Sequence, residues 1–330
     1  MVKSIIIHGG AGSWKSIEPE RAKLALETIN RCLERGWNIL SKENNSVNAV
    51  VETIKCMEDS GVLNAGWGSV LDLLGNRTLD AGIMSSNGLL GAVAAVSSTR
   101  NPIVLAKIVA EETPHVLIVG HYADQLAVLK KLPPLPPSPS SVVERYEKYL
   151  SMLLRGESSR PYIDALKKFF RNNPDYYDFV RKMKVFDTVG ACAIDDNGVL
   201  TAGVSTGGLL LKLPGRVGDS AIPGAGFYAS DVVACSATGI GEAIIRSMPC
   251  LKLSDLVKQG FELNKASDLV LKQVNDTVGS DTLGFIAVDN RGNIVWRFNT
   301  EGILIGYARN GKLYSNIELL NENGIDHGSL

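Results

Sequence analysis

The sequence predicts a chain of the α+β class, and three observations lead to this prediction. Short runs of β-branched and small apolar residues, such as "SIII" at 4–7, are bounded by glycine and other turn residues and indicate strands. Apolar residues recur every three or four positions from Glu18 to Lys42, which indicates an amphipathic helix. A polar, proline-rich segment at about 132–187 separates two halves that each contain both patterns.

In the amino-terminal half, helices and strands are expected to follow one another closely. Pro19 lies in the first turn of the first predicted helix, Ser46 is placed to cap the second, and Asn101-Pro102 opens the third. The predicted helices cover 18–42, 47–59 and 102–112, and a further helix follows the last strand of this half and ends at about Lys131. The predicted strands cover 4–7, 78–86, 89–98 and 115–120.

The segment "LPPLPPSPSS" at 132–141 predicts an extended linker, since so many prolines fit neither a helix nor a central strand. Charged, weakly amphipathic helical pieces are expected after it, at 142–154, 161–171 and 175–184. The pattern then returns to strands at 188–194, 199–206, 283–288, 293–298 and 303–308, with helices at about 240–248 and 254–272.

Composition excludes several classes of protein. A net charge of -1 over 330 residues argues against a broad nucleic-acid-binding surface, and no apolar run is long enough to cross a bilayer. The start "MVKSIIIHGG" does not resemble a secretory signal, so a cytoplasmic protein is expected. Five cysteines without CxxC spacing suit buried thiols in a reducing compartment. Four scattered histidines, at 8, 115, 121 and 327, predict no metal site and no metal cofactor.

A hairpin in the middle of the chain places two threonines near each other. The turn signal Asp195-Asp196-Asn197-Gly198 joins the strands 188–194 and 199–206. A four-residue loop puts Thr188 opposite Ser205, whereas a tighter turn puts it opposite Gly207. Thr188 is therefore expected to face Thr206 or an immediate neighbour.

One alternative chemistry is that of a serine esterase. Gly203–Gly207 matches the pattern G-x-S-x-G, and "HGGAG" at 8–12 resembles an esterase oxyanion loop. A nucleophilic Ser205 would have to lead into a helix, but the chain continues "TGGLLLKLPGRVGD". His327, the histidine that follows in chain order, is close to the end of the chain. The esterase hypothesis is rejected on this context.

A threonine can act without histidine when it is the first residue of a chain. Its own α-amino group titrates near pH ~8 and can accept the hydroxyl proton. Thr188 is internal, so this chemistry requires cleavage of the Asp187–Thr188 bond. The long polar segment before Thr188 would then be a tail that can leave the site.

Longer motifs support this second chemistry. The stretches "DTVGACAIDDNGVLTAGVSTGGLLLKLPGRVGDSAIPGAGFYAS" (187–230) and "SATGIGEAIIR" (236–246) resemble the plant-type L-asparaginase and isoaspartyl peptidase family of N-terminal-nucleophile hydrolases. The motifs "HGGAG", "NAGWGSVLDLLGN", "GAVAAVSSTRNPI" and "ETPHVLIVG" of the amino-terminal half agree. The resemblance implies a four-layer αββα sandwich and a precursor that cuts itself. It also implies one domain made of an α part (1–187, with its mobile linker at about 132–187) and a β part (188–330), and a dimer of αβ heterodimers.

The resemblance also assigns roles to residues. It implies that Thr188 is the nucleophile, that Thr206 hydrogen-bonds to it, and that Thr238 and Gly239 form the oxyanion hole. Asp187 would be the residue on the other side of the autocleavage bond.

The substrate implied is asparagine or a β-aspartyl dipeptide. Arg216 would bind its α-carboxylate, Asp219 would accept its α-ammonium group, and Gly241 and Asn64 would lie beside it. In relatives, a loop corresponding to about 56–63 holds a structural monovalent cation, and no other cofactor is implied.

Asp187 stands where many plant-type members have glycine, and Asp-Thr occurs in glycosylasparaginases and in the threonine endopeptidase taspase. A glycosylasparaginase-like or taspase-like activity, or a non-catalytic binding protein for small amino acids, therefore remain the alternatives. The charges of Arg216 and Asp219 favour a substrate with both α groups free, since the neutral amides of an internal peptide aspartate would leave both charges unpaired.

Overall fold

The computed structural model of the protein describes residues 2–154, 185–320 and 328–329. Its helices are α1 (Pro19–Glu43), α2 (Ser46–Glu58), α3 (Pro102–Glu112), α4 (Gly120–Leu129), α5 (Ser140–Leu154), α6 (Gly241–Ser247), α7 (Pro249–Lys258) and α8 (Leu263–Val278). Its strands are β1 (Ser4–Gly12), β2 (Leu79–Ser85), β3 (Leu90–Val96), β4 (Leu117–Val119), β5 (Val185–Ile194), β6 (Leu200–Leu210), β7 (Phe227–Ala229), β8 (Val233–Gly239), β9 (Leu283–Asp289), β10 (Ile294–Phe298), β11 (Gly302–Arg309), β12 (Lys312–Leu319) and β13 (Gly328–Ser329). The α+β class predicted from the sequence is confirmed.

The strands form two sheets. One has eight strands in the order β12-β11-β1-β5-β6-β2-β3-β4, and the other has five in the order β13-β10-β9-β8-β7. All neighbouring strands are antiparallel except β3 and β4. The hairpin β5–β6 lies in the middle of the larger sheet, so its backbone is hydrogen-bonded on both sides.

The side chains of β5 alternate between two hydrophobic cores. Val189 and Ala191 face the core that the larger sheet forms with α1, α2 and α3, whereas Cys192 and Ile194 face a core shared with the five-stranded sheet. A third core lies between the five-stranded sheet and helices α6, α7 and α8. Because β5 is buried on both faces, its sequence is a nearly continuous run of apolar residues and does not alternate between apolar and polar ones.

Several predicted boundaries differ from those observed. Asn45, and not Ser46, caps α2, since its side chain accepts the Asn48 N–H, while the Ser46 hydroxyl lies 2.9 Å from that of Thr201. The helix expected at 254–272 is two helices, because Gly260, at φ 94°, ends the first of them. Strand β8 was not predicted, since small residues dominate it.

The first part of the predicted linker is packed against the protein. The indole N–H of Trp67 donates to the Pro137 carbonyl at 2.9 Å, and the Thr99 hydroxyl donates to the Pro133 carbonyl at 2.9 Å. Helix α5 follows at the predicted place and buries Tyr146. The helices predicted at 161–171 and 175–184 lie outside the described residues.

The expectation that all five cysteines are free thiols is wrong for one pair. Cys32 of α1 and Cys56 of α2 form a disulfide, while Cys192, Cys235 and Cys250 are buried free thiols. The two helices pack side by side, which brings these positions together although 24 residues separate them in the sequence.

Within the ranges given above, no helix has the length and apolar character that a membrane span requires.

Candidate active site

The hairpin places Thr188 opposite Thr206, as predicted within one residue. The connecting loop is 195–199, one residue longer than the four-residue loop considered, since Ile194 pairs with Leu200. The Thr188 hydroxyl donates to the Thr206 hydroxyl oxygen across a distance of 3.0 Å. Both side chains are almost fully buried. The hairpin therefore brings two hydroxyl groups into direct contact at one end of its ladder.

A β-bulge lies at the bond before Thr188. Phe186 pairs with Leu209 and Thr188 with Thr206, so Asp187 is opposite two residues of β6, Gly207 and Gly208. Gly208 has a positive φ of 74°, which suits glycine. The ladder is thus irregular at the Asp187–Thr188 peptide and regular on either side of it.

Asn64 stabilises this bulge. Its side-chain amide donates to the Gly208 carbonyl at 2.8 Å, and its backbone carbonyl accepts the Gly207 N–H at 3.0 Å. A Cβ atom at Gly207 would lie only 2.5 Å from the Asn64 Oδ1 atom, so the close approach requires glycine. Asn64 thus contacts the bulge from behind and does not line the cavity described next.

A small cavity lies where the larger sheet meets the turn between β8 and α6. Its lining residues are Thr188, Thr206, Gly208, Leu209, Arg216, Asp219, Gly239 and Gly241. Its volume is about 10 Å³, roughly enough for one water molecule. Strand β5 continues before Thr188 and pairs with Leu209 and Leu210, next to the cavity. Six of the eight positions assigned to catalysis or substrate binding therefore line one cavity, whereas Thr238 and Asn64 are not among its lining residues.

Arg216 is held by an ion pair. Its Nε atom lies 3.0 Å from Oε1 of Glu242 and its Nη2 atom 2.9 Å from Oε2, so the contact is bidentate. Burial lowers the pKa of Arg216, but the contact with Glu242 outweighs it, and the pKa is raised overall. Burial raises the pKa of Glu242, but the hydrogen bond and the charge of Arg216 act in the opposite direction, and the pKa of Glu242 is lowered overall. Both groups are therefore charged at neutral pH.

Asp219 is a buried carboxyl group whose Oδ2 atom has no hydrogen-bond partner. Burial raises its pKa to about 7, while the positive charge of Arg216 acts in the opposite direction. A cation placed next to such a carboxyl group stabilises its ionised form.

Three glycines leave space around the Arg216 guanidinium. A Cβ atom at Gly208 or Gly218 would lie within 3.0 Å of its Nη1 atom, and one at Gly241 only 2.6 Å from Nη2. The same point at Gly241 lies 3.0 Å from Oδ1 of Asp219. Arg216 and Asp219 therefore both reach one position at the start of α6.

Thr238 and Gly239 end strand β8 beside the amino-terminal strand. The Thr238 hydroxyl oxygen accepts the Ala11 N–H at 3.3 Å, and Gly239 has a φ of 138°. A Cβ atom at Gly239 would lie 2.4 Å from the Thr282 carbonyl oxygen. The "HGGAG" strand and the predicted oxyanion residues are thus in contact.

His8, on the same strand, is a structural residue in the sense expected. It is fully buried, and its Nε2 atom lies 3.1 Å from the Ser236 hydroxyl. Burial lowers the pKa of His8 to about 3, although an interaction with the Thr188 backbone acts in the opposite direction. The ring is therefore neutral under ordinary conditions.

Ser205 does not occupy a nucleophile elbow. It lies inside β6, is fully buried, and donates to Oε1 of Glu58 at 2.7 Å. Glu58 also accepts the Ile103 N–H at 3.0 Å and the Asn101 amide at 3.2 Å. Rejection of the esterase hypothesis is thus consistent with the structure, and His327 lies outside the described residues.

Glu242, Glu58 and Lys212 were not singled out from the sequence. Lys212 is fully buried, donates to the Thr78 carbonyl at 2.7 Å, and has a pKa lowered by burial. Glu242 does belong to the motif "SATGIGEAIIR", so its position in the motif was a usable signal. The sequence gives no comparable signal for Glu58 or Lys212, because only tertiary packing buries these two side chains.

The loop at about 56–63 directly precedes Asn64. The Ser60 hydroxyl donates to the Met57 carbonyl at 2.7 Å, and Gly61 packs against the Trp67 ring. No group of three or more histidine, cysteine, aspartate or glutamate side chains in the described part of the chain could hold a metal ion. A monovalent cation bound by backbone carbonyls of this loop stays a prediction.

The chain is similar to known proteins over most of its length. Residues 1–317 match the protein-family model described as asparaginase. The plant-type L-asparaginase of Pyrococcus horikoshii is 38% identical over 309 residues, which are 93% of this chain and 97% of that protein. The plant-type L-asparaginase of Pyrobaculum calidifontis is 37% identical over 94% of this chain and 98% of its own length. The isoaspartyl peptidase of Escherichia coli is 36% identical over 93% and 94%, respectively.

The family match and the names of these relatives identify the protein, with its α+β fold, as a hydrolase. The chain belongs to the asparaginase family.

Proposed function

We propose that the protein hydrolyses the side-chain amide of L-asparagine, the isopeptide bond of β-aspartyl dipeptides, or both, after it has cut its own Asp187–Thr188 bond. The names of the relatives, plant-type L-asparaginase and isoaspartyl peptidase, support these two substrates.

The observation that carries the proposal is the convergence of Arg216 and Asp219 at Gly241. An α-amino acid bears its carboxylate and its ammonium group on one carbon atom. A guanidinium and a carboxylate that reach the same position satisfy both groups of one such carbon. The rest of the substrate then extends toward Thr188, Thr206 and Gly239, which line the same cavity.

The chemistry follows from the position of Thr188. Once the chain begins at Thr188, its free α-amine accepts the hydroxyl proton as the oxygen attacks the amide carbon. The amine then protonates the leaving nitrogen, and water hydrolyses the ester by the reverse use of the same groups. Thr238 and Gly239 are assigned to stabilise the oxyanion, and Thr206 to orient the nucleophile.

The uncut chain is a closed precursor in this proposal. A cavity of about 10 Å³ is smaller than asparagine, and the segment before Thr188 runs beside it. In the precursor, the Thr188 oxygen attacks the Asp187 carbonyl carbon, the amide bond becomes an ester, and water releases a chain that begins "TVGACA". The bulge at Asp187 supports this step, because it removes the regular ladder from the bond that must break.

The decisive experiment combines mass spectrometry with an activity assay. Incubated protein should yield two chains separated at Asp187–Thr188, and the Thr188→Ala variant should stay intact. The cleaved protein should release ammonia from asparagine or aspartate from β-aspartyl dipeptides. Cleaved protein that binds these compounds in calorimetry without converting either would favour the non-catalytic alternative.

The taspase-like alternative is separable by a blocked substrate. β-Aspartyl-leucine has a free ammonium group for Asp219, whereas its N-acetyl derivative has none. A strong preference for the free dipeptide would support an exo-acting enzyme. Equal rates on the two would support the endopeptidase. Turnover of a glycosylated asparagine in preference to both dipeptide and asparagine would support the glycosylasparaginase alternative.

The finer architecture and the assembly belong to the proposal as well. Two sheets that share a core, each with helices on its other side, support the four-layer αββα sandwich of N-terminal-nucleophile hydrolases. We assign residues 1–187 and 188–330 to its two parts. The cytoplasm stays the proposed location: the three buried free thiols favour a reducing compartment, whereas the Cys32–Cys56 disulfide is typical of an oxidising one.

A dimer of αβ heterodimers is supported by one exposed apolar surface. Leu117 and Val119 lie on the same side of β4, the edge strand, and Tyr122 and Leu129 lie on one face of α4. All four side chains are exposed although they are large and apolar. Light scattering should give the mass of two heterodimers, and Leu129→Asp should reduce it to that of one.

A further inference from the structure

The disulfide between Cys32 and Cys56 has no role in the proposed function, yet one of its two ends is accessible. Cys32 is fully buried, whereas Cys56 is only partly buried and lines an open groove of about 750 Å³ between α1 and the end of α2. In the reducing compartment proposed above, disulfides are rare, and those that form are usually transient and sense the redox state. Exposed disulfides are also more labile than buried ones. The Cys56 end of this bond is therefore open to attack by a thiol.

Charged side chains of both signs line the groove. They are Arg31, Glu34, Arg35 and Asp59. Arg35 already pairs with Glu52, and Asp59 with Arg100, whereas Arg31 and Glu34 are exposed one turn apart on α1. An arginine can pair with a carboxylate, and a glutamate with an ammonium group. The groove therefore fits a small thiol that carries both an ammonium group and a carboxylate better than it fits a neutral thiol.

We propose that a small thiol with ammonium and carboxylate groups opens this disulfide by attack on Cys56 from the groove, and that opening slows self-cleavage at Asp187–Thr188. The inference rests on the proposed function, since self-cleavage is part of it, and it adds a redox control that the proposed function does not need.

The reaction is a thiol–disulfide exchange. The thiol loses its proton, its sulfur attacks the Sγ atom of Cys56, and a new S–S bond forms there as the bond to Cys32 breaks. Cys32 leaves as a thiolate and takes up a proton. A second thiol then attacks the sulfur of the first, which frees Cys56 as a thiol and yields a small disulfide. Two small thiols are thus oxidised for each protein disulfide that is reduced.

The intermediate adduct on Cys56 has to lie in the groove, because the two helices touch. A Cβ atom at Gly36 of α1 would overlap the hydroxyl of Thr53 on α2, so the two helices leave no space between them next to the disulfide. Arg31 and Glu34 line the groove into which the adduct must extend.

The segment that begins at Cys56 reaches the cleavage site in two ways. Glu58, two residues further on, accepts the Ser205 hydroxyl at 2.7 Å, and Ser205 directly precedes Thr206. Asn64, at the other end of the segment, holds the β5–β6 bulge by its side-chain amide and its backbone carbonyl. The disulfide ties the start of this segment covalently to α1. Its opening gives the end of α2 more freedom, so the bulge is held less firmly in the geometry that cleavage requires.

The site of attack is tested with glutathione, which carries an ammonium group and carboxylates. In the uncleavable Thr188→Ala protein, mass spectrometry after a short exposure should find glutathione on Cys56 and not on Cys32. With oxidised glutathione, Cys32→Ser should still form the adduct and Cys56→Ser should form none, because Cys32 is fully buried. An adduct on Cys32 would overturn the proposed site.

Arg31 tests the class of thiol. Arg31→Ala should slow opening by glutathione about two- to fivefold, the effect of one exposed ion pair, and leave opening by the neutral 2-mercaptoethanol unchanged. Equal effects on the two thiols would show that the groove does not select a charged thiol.

The effect on self-cleavage is measured in wild-type protein synthesised in vitro under oxidising or reducing conditions. The reduced protein should cleave about tenfold more slowly, the factor expected when the hydrogen bonds of Asn64 are weakened. Reoxidation should restore the rate. Cys32→Ser and Cys56→Ser should cleave at the slow rate with or without thiol. Equal rates for oxidised and reduced wild type would overturn the inference.

A matched control separates this link from a general loss of stability. Leu253→Ala removes a buried side chain of α7 in the third core, away from α1 and α2. The oxidised form of this variant should cleave at nearly the wild-type rate and should still respond to thiol. If it is as slow as the reduced wild type, loss of stability is the cause and the inference fails.

The outcomes also separate this inference from the proposed function. If wild-type protein cuts itself in neither redox state, the proposed function fails. The link from the disulfide to the bulge is then decided by hydrogen exchange in Thr188→Ala. Reduction should speed exchange about tenfold at the Gly207 N–H, which donates to the Asn64 carbonyl, and leave α8 unchanged. Exchange at Gly207 that is independent of the redox state would overturn the link.

Discussion

The hydroxyl of Thr188 donates a hydrogen bond of 3.0 Å to the hydroxyl oxygen of Thr206, which also accepts the Gly208 N–H at 2.8 Å. Thr206 therefore connects the Thr188 hydroxyl directly to the glycines of the bulge opposite Asp187. This relationship fixes the direction of the Thr188 hydroxyl, since its proton points at Thr206.

Replacement of Thr206 by valine should slow self-cleavage. Valine has almost the same shape but can accept neither hydrogen bond, so the rate should fall by about tenfold or more, while the fold is retained. Thr206→Ser should retain most of the rate. The extent of cleavage with time, followed by mass spectrometry, measures both.

Thr201 supplies the control for this experiment. It is a buried threonine on the same strand, and its hydroxyl contacts Ser46 and Ser85 rather than the cavity. Thr201→Val should therefore cleave at the wild-type rate. If both valine variants cleave equally slowly, loss of strand stability and not of the Thr188 contact is the cause.

The hairpin shows how far the sequence alone could go. A turn signal and two apolar runs were enough to bring Thr188 within one residue of Thr206, because antiparallel register follows from the loop. They could not predict the bulge, since glycines such as Gly207 and Gly208 also suit ordinary turns. Asn64 shows the reason: the bulge depends on a side chain more than 140 residues away.

The ion pair of Arg216 and Glu242 shows the same limit at the site. Both residues lie in motifs that the sequence displays, but their contact depends on how the turn after β8 packs against the segment before Asp219. The disulfide of Cys32 and Cys56 depends likewise on the packing of α1 on α2. Local patterns predict elements, whereas contacts between distant elements come from the packed fold.

Glu58 should make stability depend on pH. Burial raises its pKa to about 8, and hydrogen bonds from Ser205, Ile103 and Asn101 act in the opposite direction. In the unfolded chain the pKa is near 4.5, so the folded state binds more protons between these two values. Proton binding by Glu58 therefore stabilises the folded state fully below pH 4.5, and this contribution to the free energy of unfolding is lost as the pH rises through about 8.

Glu58→Gln imitates the protonated side chain at every pH. The free energy of unfolding of Glu58→Gln, measured by urea titration, should increase relative to that of the wild type as the pH rises from 5 to 9. Glu58→Ala removes the acceptor of the Ser205 hydroxyl and of the Ile103 N–H and should cost about 2–4 kcal/mol at neutral pH. A difference between Gln and wild type that does not change with pH would show that Glu58 titrates normally.

The disulfide between Cys32 and Cys56 should contribute to stability under oxidising conditions. It closes a loop with a sequence separation of 24, for which the loss of chain entropy in the unfolded state corresponds to about 3.5 kcal/mol. Cys32→Ser should lower the free energy of unfolding by about this amount, and reduced wild-type protein should match the variant. Cys250→Ser is the control, because Cys250 is a buried free thiol. Equal unfolding of oxidised and reduced wild type would contradict the prediction.

Asp219 should make ligand affinity depend on pH near neutrality. Its pKa is raised to about 7 mainly by burial; Arg216 lowers it, and Asp80 and Glu242 raise it further. Only the ionised carboxylate can pair with an α-ammonium group, so affinity should increase as the pH rises through about 7. The inhibition constant of L-aspartate, measured in cleaved enzyme from pH 5.5 to 8.5, should therefore fall toward a plateau.

The inhibition constant is a better measure than kcat, because titration of the Thr188 amine near pH ~8 alters kcat. Asp219→Asn should bind weakly with a flat profile. If the inhibition constant of the wild type depends on pH as little as that of the variant, Asp219 does not bind the ammonium group. The α-amino group of the substrate would then have to be assigned to another residue.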